Sequence, residues 1–175
     1  VPFNLIKTEH YAPAIHEGIR RRNAEIDAII NNPAAPTFEN TIVPYEKSGE
    51  LLHRVTTVFG NLLSAETSDE LQELAREIMP LMSEHENNIS LNEKLFARIK
   101  AAYELTDKNK LTPEQSKLLE DIYTGFVRNG ANLQGDAKEK YRKLCKELSL
   151  LTLQFSENAL KETNDYQLVL TNKSQ

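Results

Sequence analysis

The chain has 175 residues, 39% of them hydrophobic and 27% charged, a balance that suits one domain with its own core and excludes a disordered tract. With 21 Lys and Arg against 26 Asp and Glu, the net charge of −5 offers no long-range pull toward nucleic acid or an anionic membrane surface. Cys145 is the only cysteine, which excludes an internal disulfide, and no apolar run approaches the ~20 residues of a membrane helix.

The dominant hydrophobic period is helical. A first helix is expected from Thr8, as N-cap, to about Asn32, with Ile15, Ile19, Ile26 and Ile29 on its apolar stripe and Asn31-Asn32-Pro33 as its stop. Thr37 is placed to cap a second helix over about 38–64, whose stripe runs through Ile42, Tyr45, Leu52, Val55, Phe59 and Leu62; Pro44 predicts a kink or a broken first turn. Thr67-Ser68-Asp69-Glu70 reads as a capping box for a third helix that carries Pro80 inside it, and Ser90-Leu91-Asn92-Glu93 as another for a fourth helix ending near Thr106.

Thr112-Pro113-Glu114-Gln115 combines an N-cap, an N1 proline and an N3 glutamine at the start of a fifth helix, and Gly130 is positioned to stop it. Gly135-Asp136 opens the sixth. Its stripe, Tyr141, Leu144, Leu148, Leu151, Phe155 and Ala159, holds for about five turns and predicts the face turned to the core. After Asn164 the period changes to alternation, with Tyr166, Leu168 and Leu170 on one side, which predicts a strand over 165–171. The expected fold is therefore all-α, an antiparallel array of about six helices over 1–164, followed by 165–175 as the start of a β segment. A lone strand cannot satisfy its own ladder groups, so the segment is expected to find its partner strand further along a longer chain.

Chemistry-bearing residues do not assemble into a motif. His10 and His16 are six apart, about 240° around a helix, so one ion cannot bridge them. His85-Glu86-Asn87-Asn88 begins like the zinc motif H-E-x-x-H, but Ile89 stands where the second histidine belongs. His53 has no companion, and Cys145 has no histidine near it in sequence. Arg20-Arg21-Arg22 and the acidic residues Glu66 to Glu77 and Glu84/Glu86 read as solvated helix faces, and no phosphate loop or nucleophile elbow surrounds Gly130 and Gly135. No catalytic residue and no metal ligand is assigned, and substrate-binding residues are not identifiable from spacing.

A set of short strings, in order, carries more information. Ile6-Lys7-Thr8-Glu9-His10-Tyr11-Ala12-Pro13-Ala14 with Gly18-Ile19, then Ala35-Pro36-Thr37-Phe38-Glu39-Asn40-Thr41 and Ser64-Ala65-Glu66-Thr67, resemble the opening of the thimet oligopeptidase family, in its dipeptidyl carboxypeptidase and oligopeptidase A branch. Leu91 to Arg98, Phe126 to Ala131 and Lys161 to Asp165 continue the resemblance over essentially the whole chain.

The resemblance implies the amino-terminal helical region of a mostly helical, two-lobed zinc metallopeptidase that cuts short peptides, as a peptidyl-dipeptidase does. The zinc helix of such a protein lies later in a longer chain, so its single zinc would be bound by residues absent here, and the chain itself is expected not to be an enzyme. The implied partners are the catalytic lobe of the longer chain and, in the assembled enzyme, short peptides; nucleic acid and membrane are not among them. The expected role is a channel wall that admits extended peptides and rejects folded proteins. Cytoplasm and periplasm are both compatible. An apolar patch left by the missing lobe is expected to make the chain prone to self-association. The competing reading is a free-standing helical binding module, which should not end on an unpaired strand; a complete small enzyme would need a metal pair or a nucleophile–base pair.

Overall fold

A computed structural model describes residues 2–169. Among them are seven α-helices: α1 (Tyr11–Ile30), α2 (Val43–Lys47), α3 (Glu50–Ala65), α4 (Asp69–Ser90), α5 (Glu93–Leu105), α6 (Pro113–Arg128) and α7 (Gly135–Asp165). No helix among the described residues is long and apolar enough to cross a membrane.

Capping chemistry fixes most of the joints. At Thr37 the hydroxyl accepts from the Asn40 N–H at 3.1 Å, and the Asn40 side-chain oxygen accepts from the Thr37 N–H at 2.8 Å. This reciprocal box starts a π-helical turn, Phe38–Ile42, that buries Phe38, Thr41 and Ile42. Thr112 and Gln115 form a second box at α6, with bonds of 3.0 and 3.3 Å. At the other end of α6, Gly130 takes φ 84°, the Ala131 N–H donates to the Phe126 carbonyl at 3.0 Å and the Gly130 N–H to the Val127 carbonyl at 3.3 Å. That pair of bonds is a Schellman stop.

Thr8 opens a 3-10 turn, Thr8–His10, ahead of α1 and does not cap that helix, and four further expectations from the sequence change. The single second helix is two, because Ser48 leaves the helix and Gly49 turns through φ 79°; the break falls five residues after Pro44, which sits in the first turn of α2. The cap of α4 is Ser68, accepting from Leu71 N–H, and that of α5 is Asn92, accepting from Leu95 N–H; Thr67 and Ser90 do not cap. Helix α7 runs through Asp165, and Tyr166–Val169 pair with no strand among the described residues, so the predicted strand is absent there; its Leu170 and Thr171 lie outside the described residues. A ladder needs a second strand, and none is present among residues 2–169.

The fourth change is the largest. The stripe expected to face the core of α7 is turned outward: Leu144, Leu148, Leu151 and Phe155 are exposed, and Leu153 is the buried apolar residue of that helix.

The helices pack antiparallel in three pairs, α1 with α3, α5 with α6 and α4 with α7. Tyr11 meets Phe59 with ring centroids 5.3 Å apart, and Gly18 lies against Leu52, so α3 runs opposite to α1. Phe96 faces Phe126 and Tyr103 faces Tyr123, so α6 runs opposite to α5. Lys138–Glu93, Arg142–Asn88 and Glu157–Arg76 are spaced along α7 in the reverse order of α4 and its end. Two apolar clusters result. One gathers Ile26 and Ile29 of α1 with Ile42, Ile99, Leu119 and Phe126; the other gathers Tyr11 and Ile15 with Leu52, Phe59, Ile78 and Leu153. Helices α1 and α4 contribute to both.

Candidate functional site

Between the two clusters the core is interrupted by charge. Tyr11, Ile15, Gly18, Ile26 and Ile29 are the buried positions of α1, and the position that continues their spacing between Gly18 and Ile26 is Arg22. Its side chain is only 16% exposed and its guanidinium pairs with Glu86 of α4. The Arg22 stem passes over Gly49: a Cβ there would stand 2.5 Å from Arg22 Cδ. The Gly49 N–H donates to a Glu25 carboxylate oxygen at 2.7 Å. Arg22 Nε and His85 Nε2 are buried without a hydrogen-bond partner among the described residues. His85 is 4% exposed, and burial, reinforced by the positive charge of Arg22, pushes its pKa below the ordinary imidazole value.

A cleft of about 740 Å³ opens beside this junction, lined by Arg22, Glu46, Ser48, His53, Met82 and Glu86 among others. It is polar, with carboxylates, a guanidinium and an exposed imidazole on its walls, and no acid–base pair in it stands at hydrogen-bonding distance from a nucleophile. A second, more apolar groove of about 320 Å³ runs between α3, α4 and α7, past Gly60, Leu63, Met79, Thr152 and Leu153.

The remaining chemistry-bearing residues are dispersed. His10 is exposed and its Nδ1 accepts from the Lys7 N–H at 3.2 Å; His16 and His53 are exposed on α1 and α3. Cys145 is half-buried on α7 beside Tyr141, whose hydroxyl is pushed up in pKa by burial. Arg20 and Arg21 behave as solvated residues, both donating to Glu17 at 2.7–2.8 Å and holding its carboxyl down to about 2. Arg22 departs from that expectation, whereas its partner Glu86 keeps its carboxylate exposed. The signal in the sequence was the gap in the α1 stripe between Ile19 and Ile26, where an arginine occupies a core-facing position.

The family resemblance implies a zinc ion, which can be tested against these side chains. Among the described residues no three of His, Cys, Asp and Glu converge where they would hold a metal ion. The four histidines lie on separate faces and helices, so these residues do not fit a zinc site, and no chemical step is derived through one.

The strings that carry the resemblance have structural roles instead. Gly18 lets α1 approach the Leu52 backbone, since a Cβ there would stand 2.9 Å from Leu52 Cα. Thr37 and Asn40 build the π-turn cap, and the Asn40 amide also donates to the Ala35 carbonyl at 2.8 Å. Arg98 holds the approach to that turn, donating to the carbonyls of Asn32 at 2.7 Å and Ala34 at 3.1 Å. Gly130 makes room for Leu91 and Leu133.

Comparison with known proteins agrees. A family model described as the neurolysin/thimet oligopeptidase N-terminal domain matches residues 15–138. The chain is 40% identical over 173 residues to a dipeptidyl carboxypeptidase of Escherichia coli, covering 99% of this chain and 25% of that protein. It is 40% identical over 158 residues to a dipeptidyl carboxypeptidase of Salmonella typhimurium, covering 90% and 23%. It is 25% identical over 174 residues to an oligopeptidase A of Salmonella typhimurium, covering 99% and 26%. The chain thus spans about a quarter of the length of the curated relatives it matches.

Proposed function

The chain belongs to the neurolysin/thimet oligopeptidase N-terminal domain family, and from that premise we propose that it is the non-catalytic helical region of a longer peptidyl-dipeptidase-like metallopeptidase, forming one wall of the channel through which peptides reach the catalytic part. The observation that carries the reading is the match to an N-terminal domain model over residues 15–138 together with 40% identity, along nearly the whole chain, to two proteins named for removing dipeptides.

The physical character of the chain supports a scaffold. Capping boxes, a Schellman stop and close helix approaches hold the helices at fixed positions. A rigid wall selects by size: an extended peptide threads past it, whereas a folded protein would have to unfold first and supply the free energy of doing so, about 5–15 kcal/mol for an ordinary domain. The hydrolytic chemistry belongs to the remainder of the longer protein. There a zinc ion would activate a water and polarise the scissile carbonyl.

Photo-cross-linking tests the wall. A short extended peptide carrying a benzophenone side chain is bound to the full polypeptide and irradiated, and the adducts are mapped by mass spectrometry. Adducts within residues 1–175, competed by unlabelled peptide, are expected. Adducts confined to the rest of the polypeptide would remove this chain from the channel.

A further inference from the structure

Helix α7 is amphipathic, but it is packed the unexpected way round. Its inner face meets α4 and the start of α5 through Leu153, buried in the second apolar cluster, and through polar bonds: Lys138 donates to Glu93 of α5 at 2.8 Å, Arg142 to Asn88 at 2.7 Å, and Glu157 accepts from Arg76 at 3.2 Å. On the far side of the helix, about 150° away at 100° per residue, lie Leu144, Leu148, Leu151 and Phe155, which are 53–74% exposed. Their 4-3-4 spacing is that of a seam for a second helix. Beyond the end of α7, Tyr166, Leu168 and Val169 continue the exposed apolar surface.

We infer that the Leu144–Leu148–Leu151–Phe155 strip is the seam on which the remainder of the longer polypeptide packs, through the apolar face of one of its helices. The inference rests on the reading of the chain as one region of a longer peptidase, and it names the surface by which that region is joined.

Two quantities favour a tethered occupant over a second copy of this chain. Four side chains in a row form a strip of the few-hundred-Å² class that marks interaction sites, while a stable complex of separate molecules buries roughly 800 Å² on each partner. The four side chains alone cover less than that, which favours a tethered occupant over a free one. A segment of the same polypeptide needs less, because tethering supplies an effective concentration in the millimolar range. The supply of such a segment is set by length: the relatives are about four times as long as the part matched here.

Hydrogen exchange read by mass spectrometry tests the seam. Among the described residues nothing covers the outer face of α7, so in the chain of residues 1–175 peptides covering 144–155 should exchange quickly. In the full polypeptide they should exchange at least tenfold more slowly. The double substitution Leu148→Asp, Phe155→Asp should abolish that extra protection in the full polypeptide, while leaving the thermal midpoint of the 1–175 chain unchanged. Equal exchange in the two contexts would overturn the inference. So would protection that appears in the 1–175 chain as its concentration rises, because it would assign the strip to a second copy. The outcome is separable from the channel reading: peptide adducts within this chain with no added protection of α7 would sink the seam alone, and protection of α7 without adducts would sink the wall alone.

Discussion

Arg22 on α1 pairs with Glu86 on α4 while its aliphatic stem lies against Gly49, so one side chain ties three elements together at the boundary between two apolar clusters. An arginine suits that place because its stem packs against apolar neighbours while the guanidinium reaches a half-exposed carboxylate.

Truncating that residue should therefore cost more than an exposed ion pair is worth. Arg22→Ala removes the stem as well as the charge and is expected to destabilise the chain by about 1–3 kcal/mol. Arg22→Met keeps most of the packing and should cost less than Arg22→Ala. Urea unfolding of both variants checks the order; equal losses would place the effect in the charge alone.

Three glycines should respond differently to the same methyl group. Gly18→Ala meets the Leu52 backbone and should lose about 1–3 kcal/mol by overpacking. At Gly49, φ 79° and the Arg22 stem both oppose a side chain, so Gly49→Ala should lose about 1–2 kcal/mol from the backbone conformation alone. Gly60, inside α3 with open space around it, should gain about 0.5–1 kcal/mol as alanine. Thermal melts of the three single variants would show the contrast, and a stabilised Gly18→Ala would contradict the close approach of α1 and α3.

Stability should fall on mild acidification because of His85. The fold keeps this imidazole neutral by burying it, so its folded pKa lies below its ordinary value of 6.5, and the unfolded chain binds the proton first. Its contribution is fully present above about 6.5 and is lost as pH falls from there through the folded pKa. His85→Gln should flatten the urea midpoint between pH 7.5 and 5.5; an unchanged slope would place the titration elsewhere. Glu17 acts in a separate, more acidic window: its carboxyl is held down to about 2, so what it contributes is present above about 4.5 and is lost between there and 2.

On α7, leucines a few residues apart should differ sharply. Leu153 is 9% exposed in the second apolar cluster, and Leu153→Ala is expected to cost about 2–4 kcal/mol. Leu148→Ala, on the outer strip, should stay within about 0.5 kcal/mol of the parent sequence. Similar losses at both positions would mean that the helix packs on the face its hydrophobic period suggests.

Much of this was legible without coordinates, and what was missed has physical causes. The Thr37, Thr112 and Gly130 joints are local: side chain and backbone within five residues of each other satisfy the orphan helix groups, so short strings suffice to place them. The all-α class follows from helical period for the same reason. The split at Ser48–Gly49 depends on Arg22 and Glu25, more than 20 residues earlier, and no local pattern announces it. The inward turn of Arg22 showed only as a gap in an apolar stripe. The orientation of α7 was misread because period identifies an apolar face without saying what covers it, and α4 with the first residue of α5 offers Arg76, Asn88 and Glu93 as partners for the opposite face.

The claim that these residues scaffold rather than catalyse is tested most directly by a fluorescence-quenched peptide assay on the purified 1–175 chain with added zinc, run beside the full polypeptide. Turnover is expected from the full polypeptide, and none above the rate in buffer from the 1–175 chain. Turnover by the 1–175 chain that persists through purification and stops on chelation would contradict it.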